Sequence, residues 1–246
     1  MDTGDREQRM RQALIVALDT DAHQALSLAR ALRGHVDCLK IGLTLHCAEG
    51  PDMVGRLTDM GYAVFVDLKL HDIPHQVEGA ARGIARRGAR MFTVHAAGGR
   101  SMMEAAVEGA CAGSAECGVD TPDVLAVTVL TSMDDAALAA VGVARAASAQ
   151  AVLLMGVARL AGVQGVVCSP REAAAARSAL GREALVVTPG VRPRWAAAND
   201  QARVATPAEA LAAGATHLVI GRPVTAAEDP VAALERIVSE GGLDEG

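Results

Sequence analysis

The chain has 246 residues, of which 51% are hydrophobic, and this fits a soluble globular protein of one large domain or two small ones. Its formal net charge of −6 argues against a general nucleic-acid binder. No apolar stretch approaches the ~20 residues of a membrane-spanning helix, and the polar N-terminus lacks the apolar region of a secretion signal.

Eight short apolar runs alternate along the chain with longer alanine-rich stretches. The runs predict strands at 14–19, 36–42, 63–69, 89–96, 124–130, 163–168, 184–190 and 216–221. The stretches between and after them predict helices at roughly 21–33, 51–60, 74–87, 100–112, 134–161, 170–180, 205–213 and 228–239. Because the strand runs are continuously apolar rather than alternating, they indicate a parallel sheet that is buried on both faces.

Eight βα units of this size predict an α/β protein with a single closed (β/α)8 barrel, the TIM-barrel architecture, over residues 13–238. We expect flexible tails at 1–12 and 239–246. An open, doubly wound sheet is the alternative. No G-x-G-x-x-G motif follows the first predicted strand, which argues against a dinucleotide-binding version of that fold.

Polar residues gather at the carboxyl ends of the predicted strands, where barrels of this type carry their active sites. In chain order they are Asp19, Lys40, Asp67, Lys69, Asp72 in the loop after the third strand, His95, Thr131, Ser132, Arg192, and Arg222, which follows Gly221. The sequence therefore predicts one functional site at one mouth of the barrel.

The use of lysine is the sharpest signal within this set. Lys40 and Lys69 are the only lysines, and every other residue counted as Lys or Arg is arginine. A lysine can release its proton near neutral pH, whereas an arginine cannot. Asp67 and Lys69 are two apart on a strand, so their side chains leave the same face, and Lys40 on the adjacent strand can flank them. Since a buried ion pair brings little net stability, this cluster favours a chemical role over a purely structural one.

Two segments indicate a binding site for an anion. The loops after strands seven and eight commonly hold a phosphate in such barrels, and here they read TPGVRPRW (188–195) and IGRPVT (220–225). Gly221 permits close backbone approach, and Arg192 and Arg222 can make charge-assisted hydrogen bonds. Surface salt bridges are the alternative role for these arginines.

Five cysteines without C-x-x-C spacing indicate a reduced, cytoplasmic setting.

Nine short motifs match those of one enzyme family. They are VALD (16–19), LKIG (39–42), VDLKLHDIP (66–74), VHAAGG (94–99), AVTVLTS (126–132), GVVCS (165–169), VTPGVRP (187–193), DQAR (200–203) and VIGRPVT (219–225). Through them the chain resembles the bacterial orotidine 5′-phosphate decarboxylases from about residue 14 to 235. The D-x-K-x-x-D string (67–72) alone is shared by a wider group of phosphate-binding barrels, but the ordered set is specific.

The resemblance implies cofactor-independent decarboxylation of orotidine 5′-phosphate to UMP and CO2, the last step of de novo pyrimidine nucleotide synthesis. Lys69 would stabilise the carbanion and donate the proton to C6, in a catalytic group with Asp67, Asp72 and Lys40. The implied substrate-binding residues are Asp19 and Lys40 at the ribose, Asp67, Ile73, Thr131 near the pyrimidine, and Arg192, Gln201, Gly221 and Arg222 at the phosphate.

The resemblance also implies a cytoplasmic homodimer in which Asp72 and Ile73 reach into the partner's site, with no metal, nucleic-acid or membrane partner. His75 stands where the family often has asparagine. Two alternatives remain: a Mg²⁺-dependent sugar-phosphate decarboxylase or aldolase of the same barrel group, and a non-catalytic nucleotide-binding barrel. The first places a carboxylate for its metal on the second strand, where this chain has Lys40.

Overall fold

The computed structural model describes residues 3–196 and 205–242. Its strands are β1 (Leu14–Ala17), β2 (Cys38–Gly42), β3 (Ala63–Leu70), β4 (Met91–His95), β5 (Asp123–Val127), β6 (Gly165–Val167), β7 (Leu185–Pro189) and β8 (His217–Ile220). They are all parallel and close into a barrel in chain order, with β8 pairing to β1. The predicted (β/α)8 barrel is confirmed, and each observed strand overlaps one predicted run.

Helices surround the barrel. They are α1 (Thr3–Ala13), α2 (Ala22–Ala31), α3 (Leu43–Glu49), α4 (Asp52–Asp59), α5 (Pro74–Ala85), α6 (Arg100–Cys117), α7 (Asp135–Ala140), α8 (Ala147–Leu160), α9 (Ala173–Leu180), α10 (Pro207–Ala212), α11 (Arg222–Thr225) and α12 (Pro230–Gly242), with 3-10 turns at Ala96–Gly98 and Pro170–Glu172. Within the described ranges, no helix has both the length and the apolar character needed to cross a bilayer.

Three details of the helix prediction are wrong. The single helix predicted at 134–161 is divided into α7 and α8, because the chain turns at Gly142 with a φ of 86°, a conformation that does not continue a right-handed helix. The sequence pattern also missed α3 and α11, which directly follow β2 and β8. Both are short, at seven and four residues, and each begins directly after a single glycine.

The flexible tails expected at 1–12 and 239–246 stay a prediction, and the described chain begins with helix α1 and ends with helix α12. Residues 3–13 form α1, whose Met10 is 1% exposed and packs against Gly241 of α12. Arg11 pairs with Glu235 of α12, and this hydrogen bond lowers the pKa of the Glu235 carboxyl to about 2. α12 itself extends to Gly242. Met10 is the one large apolar side chain of α1, too little for a periodicity argument, and it anchors the N-terminal helix.

The alternation of side chains along the strands creates the site. On β3, Val64 and Val66 face the layer between sheet and helices, while Phe65 lies in the barrel interior. The next interior position is Asp67, at the mouth. The interior below the mouth is filled by apolar side chains, so the charged residues rest on a dry and closely packed base.

Helices α5 and α6 approach each other unusually closely. A β-carbon placed on Gly109 of α6 would stand 2.2 Å from the carbonyl oxygen of Glu78, and one on Gly113 would stand 2.4 Å from that of Arg82. Both contacts are with backbone atoms, which cannot rotate away. The two glycines therefore set the distance between α5, which follows β3, and its neighbour α6.

We expect Gly109→Ala to lower the free energy of unfolding by about 1–3 kcal/mol, because the two helices must separate to admit the methyl group. Gly156→Ala is the matched control. Gly156 also lies inside a helix, and a β-carbon there meets nothing within 4 Å, so we expect a gain of about 0.5–1 kcal/mol. Urea denaturation at equal protein concentration measures both, and an equal effect of the two substitutions would contradict the packing argument.

Candidate active site

A cavity of about 400 Å³ opens at the carboxyl ends of the strands. Its lining includes the predicted residues Asp19, Lys40, Asp67, Lys69, Thr131, Arg192, Gly221 and Arg222. Its base is apolar, formed by interior side chains that include Phe65, Val127, Val167 and Val219. The cavity thus combines charged walls with a floor suited to a flat, partly apolar group.

The lysines and carboxylates form one connected cluster. Lys69 Nζ donates to Asp67 Oδ1 at 2.9 Å, and Lys40 Nζ donates to Asp19 Oδ1 at 2.9 Å. Lys40 Nζ also lies 3.6 Å from Asp67 Oδ2, so Asp67 joins the two lysines. The side chains of Lys40 and Asp67 are 8% and 15% exposed, so these charges are only weakly screened by water. The predicted association of Asp67, Lys69 and Lys40 is present.

The backbone at Lys69 is not that of a regular strand. Among the described residues, Lys69 is the only non-glycine with a positive φ, at 52°. Val66 pairs with Phe92 but Leu70 pairs with Val94, so β3 has two more residues than β4 between these partners. Such a bulge redirects the side chain that it carries. The side chains of Asp67 and Lys69 meet as predicted, but a bulge rather than a regular strand brings them together.

Two residues that the sequence argument missed complete the cluster. Thr93 of β4 donates its hydroxyl to Asp67 Oδ1 at 2.9 Å and accepts the backbone N–H of Lys69 at 2.8 Å. Gly42 packs against the other ion pair, and a β-carbon there would lie 2.6 Å from Asp19 Oδ1 and 2.9 Å from Lys40 Nζ. The sequence signals that could have found them are a threonine inside the apolar run 89–96 and a glycine at the end of the run 36–42.

Asp72 and Ile73 are placed differently from the rest of the predicted set. Asp72 is exposed, and its Oδ1 accepts the backbone N–H of Ile73 at 2.7 Å rather than pairing with Lys69 within the chain. The Ile73 side chain is 64% exposed, which is unusual for a large apolar residue beside a polar cavity. Gln201 lies outside the described residues, and the role expected for it stays a prediction.

The arginines follow the last two strands. In a closed barrel of eight strands β7 lies opposite β3, and Arg192 follows β7 while Gly221 and Arg222 follow β8. Arg192 is buried, whereas Arg222 is exposed at the rim and begins α11. The described lining holds two carboxylates and four cationic side chains, so its formal charge is positive. An anionic ligand fits this balance.

Burial shifts the pKa of two other titratable groups near the cavity, His95 and Cys168. The rings of His71 and His95 stack with centroids 5.2 Å apart, and His95 accepts the backbone N–H of Ala97 at its Nδ1. Burial lowers the pKa of His95, and the nearby His71 and Lys69 lower it further. Burial also raises the pKa of the Cys168 thiol to about 12, so this cavity-lining cysteine is not a thiolate nucleophile.

Comparison with known proteins agrees with this geometry. The family model described as orotidine 5′-phosphate decarboxylase / HUMPS family matches residues 12–237. A protein of Alkalilimnicola ehrlichii named orotidine 5′-phosphate decarboxylase is 54% identical over 228 residues, which cover 92% of this chain and 95% of that protein. A protein of Heliobacterium modesticaldum with the same name is 48% identical, covering 92% of this chain and 94% of that protein.

A solved structure shows the same architecture. The crystal structure of orotidine 5′-phosphate decarboxylase from Lactobacillus acidophilus superimposes with a TM-score of 0.83 at 37% identity, covering 94% of this chain and 99% of that one. The matched region includes every described residue of the cavity lining. The chain therefore belongs to the orotidine 5′-phosphate decarboxylase / HUMPS family.

Proposed function

We propose that this protein decarboxylates orotidine 5′-phosphate to UMP and CO2 without a cofactor, as the final step of de novo pyrimidine nucleotide synthesis. The observation that carries the proposal is the Lys69 ammonium, held 2.9 Å from Asp67 over an apolar floor, with two arginines lining the same cavity. The names of relatives at 48% and 54% identity support the same reaction.

The layout of the cavity supports a nucleotide as the ligand. Its anionic end binds at Arg192, Gly221 and Arg222, because arginines and an exposed backbone suit a phosphate. Asp19 and Lys40, near β1 and β2, bind the ribose hydroxyls. The pyrimidine then lies on the apolar floor with Thr131 at the rim, and its reacting carbon faces Lys69 on β3. Gln201 completes the phosphate contacts in this proposal.

The chemistry requires a fixed positive charge next to C6. When the bond between C6 and the carboxylate breaks, its electron pair stays on C6 and CO2 leaves. The Lys69 ammonium stabilises this developing charge and then transfers a proton to C6, and the resulting amine regains a proton from solvent. Because Asp67 already holds the ammonium and Lys40 in turn contacts Asp67, the ammonium needs little reorganisation as the negative charge forms.

The catalytic group also includes Asp72, which we propose acts in the partner's site of a homodimer together with Ile73. Ile73 and Leu43 support this arrangement, because both are large apolar residues, 64% and 55% exposed, that follow adjacent strands at the cavity face. A second subunit covering this face would bury them. It would also bring a carboxylate to the side of Lys69 that Asp67 leaves open.

Lys40 distinguishes this reaction from the Mg²⁺-dependent alternative. Its ammonium lies on β2 and contacts both cavity carboxylates, Asp19 and Asp67. A divalent cation held by these carboxylates would stand beside that ammonium, which charge repulsion disfavours.

We propose a cytoplasmic location, which five free cysteines support, and no nucleic-acid or membrane partner.

The first experiment follows the loss of orotidine 5′-phosphate absorbance with and without EDTA. We expect turnover that the chelator leaves unchanged. Lys69→Ala should lower kcat more than about 1,000-fold, because it removes both the charge and the proton donor. Its affinity for UMP, measured by calorimetry, should change far less. No turnover by the native protein would reject the decarboxylase, and loss of turnover in EDTA would favour the metal-dependent alternative.

The shared site is tested by mixing inactive variants. Lys69→Ala and Asp72→Ala chains, exchanged at random, should recover about one quarter of native activity, since half of the dimers are mixed and each has one site without a substitution. Lys69→Ala mixed with Asp67→Ala is the control, because these residues act from the same chain and no site escapes a substitution. Absence of recovery in the first mixture would place Asp72 in its own chain's site.

The phosphate contact is tested with Arg222→Ala. We expect KM for orotidine 5′-phosphate to rise about 10- to 100-fold, the range for losing a hydrogen bond between charged groups. Decarboxylation of orotidine, which lacks the phosphate, should be unaffected. Arg171→Ala is the control, because Arg171 is an exposed arginine after β6 that does not line the cavity. An equal loss with both substrates would remove Arg222 from the phosphate site.

A further inference from the structure

Thr93 is a buried polar residue that the packing of the barrel does not require. It is 0% exposed and lies on β4 between Met91 and His95, two residues whose side chains leave the same face. Most interior side chains at this depth are apolar, and a valine of nearly the same shape would fill the position. The hydrogen-bond partners of this hydroxyl, rather than packing, therefore explain why a threonine stands at this position.

The direction of both hydrogen bonds of Thr93 is fixed by chemistry. A carboxylate can only accept, so the hydroxyl proton is donated to Asp67 Oδ1 at 2.9 Å. A backbone N–H can only donate, so the hydroxyl oxygen accepts from Lys69 at 2.8 Å. One side chain thus connects the carboxylate and the backbone of the two residues that form the central ion pair.

The first consequence concerns the carboxylate. Asp67 Oδ1 accepts from both Thr93 and Lys69 Nζ, while Oδ2 faces Lys40 at 3.6 Å. The Thr93 bond fixes the plane of the carboxylate, because a partial rotation of this group would break the bond. Asp67 is therefore held in the one orientation that serves both lysines.

The second consequence concerns the strained backbone. At the bulge between Val66 and Leu70 the β3–β4 ladder is interrupted, and the Lys69 N–H is bound by the Thr93 hydroxyl instead of a strand carbonyl. Lys69 has a φ of 52°, a conformation that non-glycine residues adopt only when surrounding contacts hold them there. The hydroxyl supplies such a contact at the residue itself.

We propose that Thr93 is a positioning residue of the active site, whose hydroxyl holds Asp67 and the bulged backbone of Lys69 so that the ammonium points into the cavity. The kinetic part of this inference rests on the proposed decarboxylation. The geometric part does not, because it concerns only the positions of Asp67 and Lys69 in the protein without ligand.

The test compares Thr93→Val, which removes the hydroxyl, with Thr93→Ser, which keeps it. We expect Thr93→Val to lower kcat about 10- to 100-fold with less than about a threefold change in KM, since a hydrogen bond to a charged group is lost on the reacting side of the substrate. Thr93→Ser should retain kcat within about threefold. A merely structural role would not separate kcat from KM or be rescued by serine.

Thr128→Val is the matched control. Thr128 is also buried, at 1% exposure, but it donates to the carbonyl of Val167 at 3.2 Å and does not line the cavity. We expect native kinetics from this variant. If Thr93→Val gives no folded protein by circular dichroism, Thr93→Ala removes the same hydroxyl without adding a methyl group in its place.

Crystal structures of the native protein and the valine or alanine variant give the second readout. We expect Asp67 to rotate or the φ of Lys69 to change, so that the Nζ–Oδ1 contact is lost. Unchanged positions of both residues, or a kcat within threefold of native, would overturn the proposal. If the native protein does not decarboxylate orotidine 5′-phosphate, the proposed function fails, and the crystallographic comparison alone decides the role of Thr93.

Discussion

The contact between the Lys69 ammonium and the Asp67 carboxylate is the interaction on which the site depends. It places opposite charges at the mouth of the barrel, where only part of their surface meets water. Removing such charges from water is costly, and the pair alone offers little net stability in return. The arrangement persists because neighbouring groups, Lys40 and Thr93, satisfy the remaining carboxylate positions. These contacts hold the Lys69 ammonium in one position.

The barrel supplies the rigidity that this arrangement needs. Interior side chains such as Phe65 form a dry base under the charges, and the close α5–α6 contact at Gly109 fixes the helix that follows β3. Strain at a functional residue survives only where the surroundings determine its conformation. The positive φ of Lys69 meets that condition, since the residues on either side of the bulge belong to paired strands.

The division of the mouth into two halves explains how one cavity can bind and react. The arginines that follow β7 and β8 can hold a remote anion, while in the proposed reaction the lysines of β2 and β3 lie at the place of bond cleavage. Binding energy gained on one side can thereby position the reacting carbon on the other. In the proposed homodimer the exposed Ile73 and Leu43 would be covered, which would also exclude water from the charged cluster.

The sequence by itself determined the eight strands and the mouth at which polar residues gather, Lys69 among them, because apolar periodicity and residue chemistry are local properties. Only the tertiary structure decided how α1 is anchored by Met10, where β3 bulges, and that Thr93 joins Asp67 to Lys69. These features depend on contacts between residues far apart in the chain or on strand register. One polar residue within an apolar run does not reveal its partners until neighbouring strands are aligned.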